Sequence, residues 1–312
     1  APCCSPSGRA HAMMKYVRTM LRAFGWGVYD SLQFHRTVIF LVVSSRIRRN
    51  TLMCVFLNGL VFIGSYYMLD FIVLPLLRLI ITFDLDPSAG EDEKILGEET
   101  SKFLVDKVFF WLYHTFWLYP IYALSNIISA IWYQGIVDAT YDLIHDKNIG
   151  RVEKISFVVE KFYYFFLTIG FYIQMFLVTF IPIVGDFICF VHVCWLYSLY
   201  SFDYKWDKQG RKLTERLQYF ERRWPYFLGF GFPISAVSLY FPFLVKYGLY
   251  ALTAPLFIML AIMAEPVEIS DGPDKQSRAR GENLVLRLPI YWFPGKCADY
   301  AAICCCGKSS EH

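Results

Sequence analysis

Ionisable side chains interrupt otherwise apolar stretches at Asp70, Arg78, His114, Lys161, Asp186, His192 and Lys246. A charge in hydrocarbon is costly unless it is paired, hydrated or near an interface, so each position is a candidate for handling an ion, a proton or a substrate. Most have a plainer reading as well. Asp186 follows the break in FIPIVGD and suits the start of the next helix, while Lys161 and Lys246 lie close enough to helix ends to snorkel. His114 and His192 read first as buried, hydrogen-bonded histidines and second as proton carriers. Asp70 and Arg78 stand about two helical turns apart on one face, too far for a direct pair unless Pro75 bends the chain. Asp70, Arg78, His114, Asp186 and His192 are therefore the intramembrane polar candidates.

No catalytic constellation accompanies them. The sequence has no GxSxG, HExxH, Walker A or GxGxxG pattern, so no enzyme is expected, no catalytic residue is assigned and no cofactor is called for. The nine cysteines are odd in number, with Cys54, Cys189 and Cys194 inside apolar runs and the rest bunched near the two ends, unlike a secreted disulfide framework. Cys297 with Cys304, Cys305 and Cys306 forms no CxxC pair and has only His312 as a neighbouring histidine, so no metal site is expected. The membrane-proximal run Cys304, Cys305 and Cys306 is a candidate for S-palmitoylation if the tail is cytosolic; unmodified thiols are the other reading.

The elements that would position these residues follow from composition. The chain has 312 residues, of which 56% are hydrophobic, 19% aromatic and only 18% charged. Its mean hydropathy is +0.39. A soluble chain carries about a quarter of its residues as charges, so the deficit points to a membrane protein built of helices. The formal net charge of +3 gives no reason to expect a nucleic-acid partner.

Residues 1–12 are expected to be a disordered tip, and no cleaved leader is read there. Residues 13–50 form a cytosolic amphipathic helix and basic linker. Val17, Leu21, Phe24, Val28 and Leu32 recur at helical spacing while Lys15, Arg18 and Arg22 gather on another face, the pattern of a helix lying in an anionic interface. Packing of that helix on the protein itself is the alternative. Residues 51–264 form the helical membrane domain: crossings over 52–83 and 105–133, then two proline-broken blocks, 157–202 and 226–264, each read as a pair of helices that crosses fully or enters only part-way. Residues 265–312, with Pro289 and Pro294 flanking Tyr291 and Trp292, form a cytosolic or interfacial tail.

Charge asymmetry gives an orientation. Arg46, Arg48 and Arg49 precede the first crossing, and Lys205, Lys208, Arg211, Lys212, Arg216, Arg222 and Arg223 crowd the linker 203–225. The acidic loop 84–102 has no arginine. Both termini and the linker are therefore expected in the cytosol and the acidic loop in the lumen. Arg222, Arg223 and Trp224 then stand at headgroup depth, as membrane-surface or partner contacts alongside Lys15, Arg18 and Arg22.

Two stretches go beyond pattern: WLYPIYALSNIISAIWYQGIVDA (Trp117 to Ala139) and LYSLYSFDYKWDKQGRKLTERLQYFERRWPYFLGFGFP (Leu196 to Pro233). Both resemble the etoposide-induced protein 2.4 family, as does VRTMLRAFGWGVYDSLQ (Val17 to Gln33). The resemblance covers most of residues 14–264. It implies an endoplasmic-reticulum membrane protein linked to autophagy and, more distantly, similarity to the sulfate permease CysZ, whose fold combines long crossing helices with helix pairs that penetrate part-way. The fold expected is thus an all-α, CysZ-like membrane protein. The function expected is support of autophagy and of lipid or contact-site organisation, as an accessory subunit of a larger lipid-handling complex. Membrane lipids and a protein partner at the endoplasmic reticulum, from lipid-transfer or autophagy machinery, are the partners implied. A sulfate-like anion transporter or a lipid scramblase is the alternative.

Overall fold

The computed structural model describes residues 6–76, 110–144, 154–266 and 288–306, together with Leu79 and Lys107. Arg78, the acidic loop and the side chains of Asp70, Lys161, Cys304, Cys305 and Cys306 lie outside the described residues. Among the described residues every regular element is helical: α1 (Pro6–Ser31), α2 (Phe34–Val43), α3 (Ser45–Leu76), α4 (110–144), α5 (Lys154–Val178), α6 (Gly185–Lys208), α7 (Leu213–Arg222), α8 (Trp224–Ser238), α9 (Phe243–Met263) and α10 (Trp292–Cys306). Helical backbone begins at Pro6, ahead of the periodic residues from Met13 onward.

Three described helices are long and apolar enough to cross a membrane: Ser45–Leu76, Gly185–Lys208 and Val245–Met263. The second expected crossing, now within α4, is not among them. Trp111, Tyr113, His114, Trp117, Tyr119 and Tyr122 bring polar ring atoms that lower its hydropathy. Its exterior is apolar all the same, with Phe116, Leu124, Ile127 and Ile131 exposed.

The chain forms two compact units, one of Ala1–Ile39, Thr140–Val237 and Leu256–His312, the other of Phe40–Ala139 and Ser238–Pro255. The second unit is apolar outside and locally polar inside. Leu52, Phe56, Leu60, Phe71 and Ile72 are exposed along α3. Inside, Asn58 Nδ2 donates to Ser129 Oγ at 2.9 Å and to the Cys54 carbonyl at 3.0 Å. Tyr133 donates to the Ala251 carbonyl at 2.7 Å, and Tyr113 to that of Ser65 at 2.9 Å. Helices in hydrocarbon gain nothing from burying apolar surface against one another, so such bonds and close packing hold them together.

Two described π-helical stretches in this unit precede a proline, while a third, Phe56–Ile63, does not. Residues Leu69–Val73 and His114–Leu118 are π-helical, and each stretch stops shortly before a proline, Pro75 or Pro120. Leu74 N–H reaches back to the Leu69 carbonyl, and Tyr119 N–H to that of His114. A proline ring crowds the carbonyl four residues earlier and offers no N–H, so widening the preceding turn keeps the helix continuous.

The first unit has an aromatic core. Phe202 and Trp206 of α6, Phe220 of α7, and Tyr226, Phe227 and Phe230 of α8 are all fully buried. Phe220 stacks on Phe227 at 4.3 Å between centroids, and Phe202 meets Phe230 edge-on at 4.9 Å. Two glycines of GFGFP let α8 touch its neighbours through backbone. A Cβ on Gly231 would lie 1.9 Å from the Cys194 carbonyl oxygen of α6, and one on Gly229 would lie 2.1 Å from the Phe24 carbonyl oxygen of α1. The contact is closed by Ser198 Oγ donating to the Phe227 carbonyl and by Trp195 Nε1 donating to the Trp224 carbonyl at 3.2 Å.

α1 docks through small residues. Thr19, Ala23, Gly27 and Ser31, four apart, are buried, whereas Val17, Leu21 and Leu32 of the periodic apolar stripe are exposed. α10 packs on α5, and Tyr291 just ahead of it stacks on Phe171 at 5.5 Å. Pro294 falls in the first turn of α10, where a missing N–H leaves no bond unmade.

Candidate membrane interface

The segment from Asp203 to Trp224 carries the densest basic and aromatic sequence, and the fold divides its cations into two sets. Lys205 is buried and donates to the Ala264 carbonyl. Arg216 is also buried: its guanidinium meets Asp203 at 2.7 Å and Asp207 at 3.1 Å, while Nε donates to the Arg211 carbonyl at 2.7 Å. The turn between α6 and α7 is thereby locked. Lys205 and Arg216 are thus internal, not directed at headgroups as the count of linker charges suggested. The reason is that the turn brings Asp203 and Asp207 of α6 to Arg216 of α7, and the chain after α9 brings the Ala264 carbonyl to Lys205, partners that a desolvated cation needs.

Arg222 and Lys212 are exposed. Arg223 is half-buried with its guanidinium 3.9 Å from the Tyr219 ring centroid, and Arg211 approaches the same ring at 5.2 Å. Trp224 is half-buried against Trp195 at 6.2 Å. The expected trio therefore separates: Arg222 points outward, while Arg223 and Trp224 are held by their neighbours. On α1, Lys15, Arg18 and Arg22 are exposed beside exposed Met14, Val17 and Leu21.

The intramembrane candidates do not gather into one site. Asp70 and His114 each fall in a π-helical stretch. His114 is buried with its ring edge-on to Tyr66 at 6.3 Å. His192 is buried and held at both nitrogens, Nδ1 to the Ile188 carbonyl at 2.8 Å and Nε2 to Gln174 Nε2 at 2.8 Å. Asp186 is exposed in the first turn of α6, where negative charge suits the helix dipole; the N-cap is Val184. Among the described residues no group of three or more His, Cys, Asp or Glu side chains could hold a metal ion.

A profile described as Sulfate transporter CysZ/Etoposide-induced protein 2.4 matches residues 33–245. The chain belongs to this family. It is 30% identical to Protein EI24 homolog of Dictyostelium discoideum over 89% of this chain and 83% of that one. It is 27% identical to Protein EI24 homolog of Arabidopsis thaliana over 86% of this chain and 89% of that one. Ectopic P granules protein 4 of Caenorhabditis elegans is 32% identical over 46% of this chain and 47% of its own. No solved structure matches the chain. The region matched by the Sulfate transporter CysZ/Etoposide-induced protein 2.4 family contains Arg222, Arg223 and Trp224 and leaves out Lys15, Arg18 and Arg22 and the docked tail. With its spanning helices, this member of the family is a membrane protein.

Two polar contacts had no signal in local sequence. Asp30 of α1 accepts from the Tyr226 hydroxyl at 2.6 Å and from Gln33 Nε2 at 3.1 Å. Glu221 of α7 is buried and accepts the Tyr291 N–H at 3.1 Å, pinning the chain that leads into α10. Burial raises the Asp30 carboxyl above its ordinary value of 3.8, although the Tyr226 hydroxyl and the Arg36 charge oppose the shift. A raised folded-state value favours the native state most when the acid is protonated, and that contribution fades as pH rises through the folded value. Wild type should therefore gain thermal stability relative to Asp30→Asn as the buffer is taken from neutral to about pH 4. A difference between the two that stays constant over this range would refute the assignment.

Proposed function

We propose that this chain is a non-enzymatic, multi-pass membrane protein of the endoplasmic reticulum that supports autophagy and lipid or contact-site organisation, as an accessory subunit of a larger lipid-handling complex. The observation that carries the reading is the apolar reversal between α5 and α6. Phe176, Leu177, Phe180, Ile181, Ile183, Val184 and Phe187 are all exposed there, Ile183 completely. In water such a tip would be penalised by its apolar area; in hydrocarbon it is at home. α8, with 15 residues, is about 22 Å long, short of the roughly 30 Å hydrocarbon core, and leads into an exposed Leu239 and Tyr240. Helix pairs that end within the bilayer displace lipid from one leaflet more than the other, which is a means of shaping lipid access without chemistry. The cytosolic placement of both termini and of the segment 203–225 goes with this reading, as does α1 lying in the interface with Lys15, Arg18 and Arg22 toward anionic headgroups. The endoplasmic-reticulum and autophagy assignments rest on what the resemblance to the etoposide-induced protein 2.4 family implies. Sulfate-like anion transport is the weaker alternative, because the reversal offers an anion no cationic side chain.

Arg222 is the side chain through which a cytosolic partner would be held. Purification of the native protein in mild detergent, with subunit stoichiometry measured, is expected to recover a larger protein in fixed ratio. Arg222→Glu should lose at least about 90% of that partner while still inserting, since a reversed charge at an interface is worth several-fold to a hundred-fold in affinity. A pure homo-oligomer from wild type would overturn the accessory-subunit reading in favour of transport or scrambling, with liposome flux as the next measurement.

A further inference from the structure

We propose that the groove at the start of α3 is a binding site for the phosphate headgroup of an anionic glycerophospholipid. Arg46, Arg48 and Arg49 line it together with Ser45, Leu52 and Met53, around a cavity of about 440 Å³. That volume lies in the range of roughly 300–1,000 Å³ that holds small ligands.

Charge selects the ligand. From Ser31 to Leu69 the chain contains no Asp or Glu at all, while Arg36, Arg46, Arg48 and Arg49 fall in it. The three guanidiniums of the groove are exposed, and among the described residues none is paired with a carboxylate. Arg48 is already oriented: Nη1 donates to the Leu41 and Val42 carbonyls at 3.3 and 3.5 Å, closing the C-terminal end of α2. α3 begins here on Ser44, whose Oγ accepts the Ile47 N–H, and its dipole adds positive potential at the same end. A phosphate carrying net negative charge is complementary to all of this. The choline headgroup brings its own cation and is not.

The surroundings select the source. Val42 and Val43 are exposed on α2 before the groove, and Leu52, Met53, Val55 and Phe56 are exposed on α3 after it. A soluble phosphate ester would leave that apolar surface uncovered, whereas a lipid fills the groove with its headgroup and lays its chains along α3. Arginine is suited to the role because its planar fork binds phosphate oxygens in pairs. The proposal rests on the reading above only in placing the chain in a phospholipid bilayer.

The test uses the full chain purified in mild detergent, offered phosphatidic acid and phosphatidylcholine in equal amounts and read by native mass spectrometry. Wild type is expected to retain phosphatidic acid in preference, and R46Q/R49Q, which keeps the Arg48 cap, to lose about fivefold in that preference per arginine removed. K296Q, at an exposed cation of α10 with no part in the groove, should retain it. Size-exclusion profiles establish that each variant is folded; if R46Q/R49Q is not, R49Q alone should lose about fivefold. Excess glycerol phosphate should displace nothing. Equal retention of the two lipids by wild type, an unchanged preference in the arginine variant, or displacement by glycerol phosphate, which would mark a site for a free phosphate ester, would each overturn the proposal. A homo-oligomer in the subunit measurement leaves this lipid preference intact, so the two readings fail separately.

Discussion

Gly231→Ala is expected to cost about 3 kcal/mol or more and to lower the thermal midpoint by roughly 6–12 °C. The added methyl would sit 1.9 Å from the Cys194 carbonyl oxygen and 2.7 Å from its carbon, both main-chain atoms that no rotamer change can move. α6 and α8 would have to separate. Their separation would loosen the Ser198 bond to the Phe227 carbonyl and the Trp195 bond to the Trp224 carbonyl, and with them the buried packing of Phe202 on Phe227 and Phe230. Gly25→Ala is the control: a Cβ there meets nothing within 4 Å, and alanine is the better helix former. Fluorescence-detected size exclusion after heating reads both variants. A Gly231→Ala midpoint equal to wild type would mean that the two helices do not touch through backbone.

Arg216→Met comes second, with an expected loss of about 3–5 kcal/mol. Methionine fills much of the aliphatic volume but removes the guanidinium from Asp203 and Asp207 and its Nε from the Arg211 carbonyl. Asp203 is itself buried and would keep a charge without its main counterion. Adding Asp203→Asn to Arg216→Met should recover part of the loss, because the penalty lies largely in the stranded charge. No recovery in the double variant, measured by the same thermal assay, would assign the loss to packing instead.

Much of the helical architecture was legible because each element repeats one signal many times. The long apolar run into the first crossing appears as α3, and the break at Pro182 and Gly185 falls between α5 and α6. What local reading missed depends on contacts between distant residues. Lys205 and Arg216 looked like their solvated neighbours in the linker, since nothing in composition says that Asp203 and Asp207 would face inward with them. The apolar stripe of α1 drew attention to Val17, Leu21 and Leu32, yet the buried face is the fainter stripe Thr19, Ala23, Gly27 and Ser31. Small residues four apart were the available signal, carried by what they lack. Pro75 and Pro120 announced a distortion in their helices but not its form, a π-helical stretch ahead of each. Of the surface candidates, Arg222 is exposed, whereas Arg223 and Trp224 lie against Tyr219 and Trp195.

The docking of α1 on α8 sets a schedule for synthesis. Asp30 and its partner Tyr226 are 196 residues apart in the chain. A ribosome adding roughly 5–20 residues per second takes on the order of 10–40 s to cover that distance. For that interval α1 has been made and the α8 surface on which its small residues pack has not. A nascent α1 must therefore wait at the bilayer surface or in the grip of an insertase or chaperone. Truncated chains that stop before Trp224 should accumulate on that factor.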